Sequence, residues 1–285
     1  MHYCGRPFPS SDIELIRALI AQLPSLNRAR LSRAVCERLN WRRADGKLKD
    51  MSCRVALLRM QADGLITLPP PRNAKPVTYQ AHPEIERAVL EPTSVPVVDL
   101  ARLTVDLVGA KCDSLLWNAY IQRHHYLGHQ LMPGAQLRYF VRAADQLIAL
   151  LSFGASAWKT NPRDQFIGWT HEERARNLHL IVNNARFLIL PWIKCRNLAS
   201  RTLALISRRL AHDWHTRYAY RPVLLETFVE KPRFAGTCYK AANWQYLGDT
   251  QGRGKLDRLH RNAEPIKSIW VYPLVSDFRR HLCNR

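Results

Sequence analysis

Residues 226–254 read ETFVEKPRFAGTCYKAANWQYLGDTQGRG, and they follow directly on an apolar run, VLLETFV (223–229), that has the composition of a strand. Past that run the segment keeps neither the 3.6-residue period of a helix nor the two-residue period of a strand. Glycines at 236, 248, 252 and 254 mark points where the backbone turns sharply or comes close to something. Between them Tyr239, Lys240, Asn243 and Trp244 carry groups that grip polar ligands. Glu226, near the end of the strand, is the acid best placed to enter a cleft there; its ordinary alternative is a salt bridge to a neighbouring arginine. The segment reads as a site rather than as scaffold.

Working outward, helical and strand patterns alternate from residue 98 onward. LLWNAYIQRHHYLG (115–128) predicts a helix ending at Gly128, and QLRYFVRA (136–143) with LIALLSFGASAW (147–158) predicts a hairpin. RARNLHLIVNNARFLIL (174–190) predicts a helix running into a buried strand that stops at Pro191. A strong helix starts at Asn197 or Ser200, with Leu203, Ile206, Leu210 and Trp214 at spacings of three and four. SIWVYPLV (268–275) supplies a last strand. Strands interleaved with helices predict a mixed α/β or α+β domain over residues 98–285.

The N-terminal part reads differently. Ser10, Ser11 and Asp12 offer a cap to a helix carrying Ile13, Ile16, Ile20 and Leu23, and Asn27 caps a second helix with Leu31, Val35 and Leu39 on one face. A turn at Asp45-Gly46 leads to a third helix whose apolar stripe is Leu48, Met51, Val55 and Leu58, and LITLP (65–69) follows as a short strand. Three short helices and a strand are the order of a winged helix-turn-helix, assigned to residues 1–75. Five prolines in 69–83 and two more in 92–96 mark residues 76–97 as an interdomain connection.

Charge points to the partner. The 285 residues hold 43 Lys or Arg against 23 Asp or Glu, a formal net charge of +20. Such an excess predicts attraction to polyanions, with DNA first and an anionic membrane surface second. Between Arg28 and Arg59 there are ten cations against three acids, all on the second and third helices or the turn between them. In a helix-turn-helix such cations meet phosphates and the start of the third helix meets base edges. Arg42, Arg43, Lys47, Lys49, Ser52, Arg54 and Arg59 are the candidate contacts there. In the glycine-rich segment Trp244 joins Tyr239 as a stacking surface, with Asn243 and Lys240, Arg253 and Lys255 for phosphates. Trp244 reads equally well as core, since a lone tryptophan usually is.

Two further sets carry chemistry. QRHHYLGH (122–129) places His124, His125 and Tyr126 at a helix end, where histidines serve as general acids or bases or simply cap the helix. PWIKCRNLAS (191–200) sets a fresh helix start beside Lys194, Arg196 and Arg201. Free N–H groups at Asn197 and Ser200, together with Arg201, favour an anion. The seven scattered cysteines form no CxxC pair, so neither a disulfide framework nor a metal site is expected. No secretory signal and no stretch long enough to span a bilayer is visible, so a reduced, cytoplasmic protein with no membrane partner is expected.

Taken together, RHHYLG, RFLILPWI, RNLAS, HDW, the 226–254 block, the final VYPL and LKDMSCRVALLRMQADGLITLPPP resemble the DruA family of Druantia anti-phage systems over about the whole chain. The resemblance implies a role in bacterial defence islands or on mobile elements, alongside partners such as a helicase. A second likeness is to the GNAT acetyltransferase superfamily. The order helix, hairpin, long strand, helix, strand and then G-x-x-Y-x-A-x-x-W (236–244) is similar to the order in those enzymes, and Tyr239 stands where they carry a general acid. The glycine loop that would cradle acetyl-CoA is replaced here by PWIKCRNLAS, so no cofactor is assigned. The implied functions are DNA binding in phage defence, a DNA-processing or GNAT-like enzyme using His124, His125, Glu226, Tyr239 and Lys240, or a scaffold for defence partners. Whether the chain catalyses anything stays open at this level.

Overall fold

The structure, a computed structural model, describes every residue except 24–25, 44–45, 72–84, 86–88, 90–97, 133, 253–263 and 284–285. The chain divides into two compact units, Met1–Thr78 and Tyr79–Arg285. Most of the proline-rich stretch 76–97 lies outside the described residues.

In the first unit a two-residue hairpin, β1 (His2–Tyr3) with β2 (Arg6–Pro7), precedes helices α1 (Ser10–Gln22), α2 (Arg28–Arg38) and α3 (Asp50–Ala62). Asn27 caps α2 by accepting from the Ala29 and Arg30 amides at 3.1 and 3.0 Å, which meets two of the otherwise unpaired first-turn donors. Phe8, Ile16, Leu31, Val35, Trp41, Leu57 and Met60 form the core.

Two expectations for this unit fail. The stripe Met51, Val55 and Leu58 on α3 does not face the core; Cys53, Ala56, Leu57 and Met60 do. The third helix carries apolar residues on two faces, and the face with small side chains is the one that lets α2 pack closely. Residues 65–69 form no strand. Their polar groups are taken by side chains instead: Gln61 accepts from the Leu68 amide, while Arg17 and Arg28 donate to the Leu65 and Pro69 carbonyls.

The second unit is built on a seven-stranded mixed sheet. In chain order it holds β3 (Leu103–Leu107), α4 (Lys111–His124), β4 (Gln136–Ala143), β5 (Gln146–Ala155), α5 (Asn161–Ile167), α6 (His171–Asn177), β6 (Ile181–Ile189), α7 (Leu198–Tyr218), β7 (Leu224–Glu230), α8 (Thr237–Ala241), β8 (Gln245–Asp249), β9 (Lys267–Pro273) and α9 (Phe278–Cys283). The order across the sheet is β3-β4-β5-β6-β7-β9-β8. Every neighbouring pair is antiparallel except β6 and β7, which run parallel and are joined through α7.

Alternation along β4 fixes which helix covers which face. Arg138 reaches Ser114 and Asn118 of α4, and the next residue, Tyr139, donates to Asp213 of α7 at 3.0 Å. The two long helices therefore lie on opposite faces. Leu203, Ile206, Leu210 and Trp214 of α7 are all buried, as their spacing predicts, and Trp117 and Ile121 of α4 close the other side. A separate apolar cluster under α5, α6 and α9 includes Ile167, Val271, Phe278 and Leu282.

The site is positioned by a break in the sheet. β6 pairs with β5 along most of its length and β7 pairs with β9 along all of its own, but β6 and β7 pair only at Ile181–Leu224, Val182–Leu225 and Asn183–Glu226. Beyond that the two strands splay. A bulge at Ala185, where Ser152 pairs with Arg186 but Phe153 with Asn184, bends β6 at the point of divergence.

Candidate functional site

The splay between β6 and β7 is where the glycine-rich segment packs. After β7 the chain turns through Gly236, which has φ +72° and whose α-carbon lies so close to the Trp270 ring that an added Cβ would stand 2.8 Å from the indole nitrogen. Only glycine fits both conditions. The turn launches α8 and points Tyr239 into the gap between the strands. There its hydroxyl donates to Asn184 Oδ1 at 2.8 Å. Asn184 in turn donates to the Ser152 and Arg186 carbonyls, and Thr227 donates to the Asn184 carbonyl at 3.1 Å. Burial pushes the Tyr239 phenol well above its usual value, so at neutral pH it is a proton-bearing donor. Trp244 packs edge-on against Tyr239 and is buried.

Other candidates from the sequence come to the rim of this region. Asn197 stands at the start of α7 with φ +62° and no side-chain cap, and Ser200 and Arg201 follow one turn on. These three, together with Ala204, Arg208, Asn243 and Tyr272, line a cavity of about 570 Å³ between α7, the end of α8 and residues Leu100–Ala101. Residues 197, 201, 204 and 208 share one helical face by spacing, so Arg208 can be found from Arg201 by counting seven. The first-turn amides and two guanidiniums make this a setting for an anion. Lys194 and Arg196 lie exposed in the preceding loop.

On the other side, the loop after α4 meets the segment after β7. Tyr126 packs on Phe234 with ring centres 5.4 Å apart, and the Arg233 guanidinium lies 4.8 Å from the Tyr126 ring centre. His125 stacks on Tyr126 and its Nδ1 accepts from the Leu127 amide. Burial and the nearby Arg186 push its pKa down to about 4, so it is neutral at pH 7. His124 is used structurally: its Nε2 lies 2.9 Å from the Val89 carbonyl and its ring packs edge-on to Trp192. Lys240 is exposed. Arg253 and Lys255 lie outside the described residues.

Glu226 takes its ordinary alternative. It is fully buried, pairs with Arg163 at 2.9 Å and accepts from the Ala157 amide at 2.9 Å. Burial pushes its carboxyl up while the guanidinium and the amide pull it back. Arg163 is held above its usual value because the Glu226 and Asp164 carboxylates outweigh the effect of burial. Both oxygens of Glu226 are thus committed and shut off from solvent. The five proposed catalytic residues do not converge as one centre: Tyr239 lies in the splay, His125 at its rim, His124 and Glu226 in structural contacts, and Lys240 at the surface. Asn184 and Thr227, which complete the Tyr239 network, carry no signal of their own in the sequence, where both fall inside runs that read as strands.

In the first unit, Arg42, Lys47 and Arg59 are exposed, and Arg43, Lys49, Ser52 and Arg54 half-buried. Arg54 and Arg33 approach Asp50 at 3.8 and 3.9 Å. Among the described residues no group of three His, Cys, Asp or Glu is arranged to hold a metal ion, and no helix is long and apolar enough to cross a membrane.

A mixed α/β unit with a split sheet and a helix start at the split is the class this geometry defines. The family model described as "Druantia protein DruA" matches residues 60–263, and the chain belongs to that family. No curated protein matches the sequence. Among solved structures the chain is similar to an N-acetyltransferase from Staphylococcus aureus Mu50, at 11% identity and a TM-score of 0.37, over 60% of this chain and 97% of that one. It is also similar to the ribosomal-protein-S18-alanine N-acetyltransferase from Escherichia coli, at 11% identity and a TM-score of 0.37, over 60% of this chain and 94% of that one. A Drosophila melanogaster polyamine N-acetyltransferase gives 12% identity and a TM-score of 0.37, with 60% of this chain and 99% of that one covered.

Proposed function

We propose that this DruA-family chain is a DNA-binding protein that acts in phage defence, with the first unit engaging duplex DNA as a winged helix-turn-helix would. The observation that carries the reading is the outward face of α3. Met51, Val55 and Leu58 are 57%, 38% and 42% exposed, and Arg54 and Arg59 flank them. A helix face that combines uncovered apolar side chains with cations is unusual for a surface with no partner. Nucleic acid suits it: the guanidiniums meet phosphates, and short apolar side chains meet thymine methyls and base edges in a major groove. The family membership supports the defence role, and the net charge of +20 supports a polyanion.

The test is duplex affinity against salt concentration. Wild type is expected to bind at low salt, with the logarithm of affinity falling linearly against the logarithm of salt. Replacing Arg54 and Arg59 by Ala is expected to lower the slope by about one for each phosphate no longer neutralised, and Val55→Asp to weaken binding about tenfold or more without loss of helix content. Absence of binding at low salt, or a flat salt dependence, defeats the reading. Unchanged affinity in Val55→Asp takes the α3 face out of the DNA contact and defeats the reading that rests on it.

Chemistry on DNA has one supporting observation, the Tyr239–Asn184–Thr227 network at the split of the sheet. A buried phenol with a raised pKa keeps its proton, which rules against a phenolate nucleophile, and that proton is held on Asn184 Oδ1. An enzymatic reading therefore rests on Tyr239 as a general acid, without Glu226 as its partner. The cavity at the start of α7 is the place for the anionic portion of a ligand in that reading.

A further inference from the structure

A second cavity, of about 210 Å³, lies on the α4 face of the sheet and is distinct from the one at α7. It is lined by Arg138 of β4, Arg186 of β6, Ser114 of α4 and His129 of the following loop. The strand register puts these arginines in one row: Arg138 pairs with Ser152, and Ser152 pairs with Arg186. Directly paired residues share a face, so the two guanidinium stems rise on either side of Ser152, with their backbones two strand spacings or about 10 Å apart.

Two properties of this row point to an anionic ligand. Arg138 donates to Asn118 Oδ1 at 2.8 Å and Ser114 Oγ at 2.6 Å and lies over the Trp117 ring, while Arg186 donates to the Gly128 and Ala185 carbonyls; every one of these partners is neutral. Among the described residues no carboxylate forms an ion pair with either. Elsewhere in the same unit the enclosed Arg163 has two carboxylates and Arg174 has one. Ser152 between them is fully buried and does not line the cavity, so the space is left to the two guanidiniums. Burial holds both guanidiniums below their usual value, and both push the pKa of His129 down after burial does, so the field inside the cavity is positive. Uncompensated, partly desolvated cations are costly, and folds normally keep them only with a partner.

We propose that this row is a binding site for a terminal phosphoryl group. A carboxylate offers two acceptors in one plane, which a single guanidinium fork satisfies. Two guanidiniums approaching from opposite sides suit a tetrahedral ion whose oxygens diverge, and arginine's fixed fork matches phosphate oxygens in pairs. The volume is below the usual range for whole small-molecule ligands, roughly 300–1,000 Å³, so the site takes a phosphate or the phosphorylated end of something larger. The site is built within the second unit alone and does not depend on the DNA-binding reading of the first.

The experiment follows the His129 imidazole by NMR in the full chain, its signal assigned by its loss in His129→Gln. Inorganic phosphate and a 5′-phosphorylated dinucleotide are each expected to shift the signal saturably, and the unphosphorylated dinucleotide and acetate are not. Arg186→Gln and Arg138→Gln are each expected to raise the midpoint at least tenfold. Because Arg138 also holds Asn118 and Ser114, Arg186→Gln decides the matter alone if the other variant loses its folded spectrum. A dinucleotide tighter than free phosphate assigns the group to a nucleotide end; equal midpoints assign it to the free ion. A shift that fails to saturate, that acetate reproduces, or that survives Arg186→Gln unchanged overturns the proposal.

Discussion

Replacing Glu226 by Ala is expected to destabilise the second unit by roughly 3–5 kcal/mol, which lowers its ratio of folded to unfolded molecules more than a hundredfold. The carboxylate is fully buried and compensates a guanidinium that is fully buried too. Removing it leaves the Arg163 charge with Asp164 as its one carboxylate among the described residues and the Ala157 amide without its acceptor. An ion pair of this kind need not add net stability over apolar residues of the same size, because both charges lose their water. The paired replacement Arg163→Met with Glu226→Leu is therefore expected to recover much of the loss. Chemical denaturation of the four proteins in the cycle measures both effects. A loss below about 1 kcal/mol for Glu226→Ala contradicts the structural role. The same measurement matters for any activity assay, since a Glu226 variant that loses function through unfolding says nothing about catalysis.

Gly236→Ala is the second large effect, expected to cost about 2–4 kcal/mol. Roughly 1 kcal/mol comes from forcing a residue with a side chain to φ +72°. The rest, about 1–3 kcal/mol, comes from overpacking against Trp270, whose ring atoms would lie 2.8–2.9 Å from the new methyl. The indole cannot easily yield: it is buried and its nitrogen donates to Ser268 Oγ at 3.0 Å. Three residues further on stands Tyr239, so any shift of the turn also pulls the phenol from Asn184. A fall in Tm of roughly 5–15 °C is expected for a unit of this size. A variant that melts with the wild type shows that the turn relaxes without moving the indole.

Much of the second unit is legible in the sequence because its periods are long and clean. Leu203, Ile206, Leu210 and Trp214 fix α7, and the apolar runs of β4 to β7 and β9 stand out from their neighbours. β8 escapes such a reading because none of its residues is buried, so no alternation marks it. The short α5, α6 and α9 are held by tertiary packing rather than by a pattern of their own. The face of α3 misleads because the helix carries two apolar stripes, and only its neighbour α2 decides between them. At the site, spacing points to the start of α7 and to Tyr239, yet it cannot give Glu226 its partner, 63 residues away. The row from Arg138 to Arg186 depends on register across three strands. Its trace in the sequence is an arginine within each of two strand-like runs, QLRYFVRA, which holds a second arginine at 142, and NNARFLIL.

The split between β6 and β7 gives the sheet four borders instead of two. Over 184–189 and 227–230 each strand has a neighbour on one side only, so half of its peptide groups there look into the gap rather than across a ladder. One of them, the Asn184 carbonyl, is answered by a side chain. With the Tyr239 phenol standing in the gap on Asn184, the two strands are joined there through side chains rather than through a ladder of peptide groups.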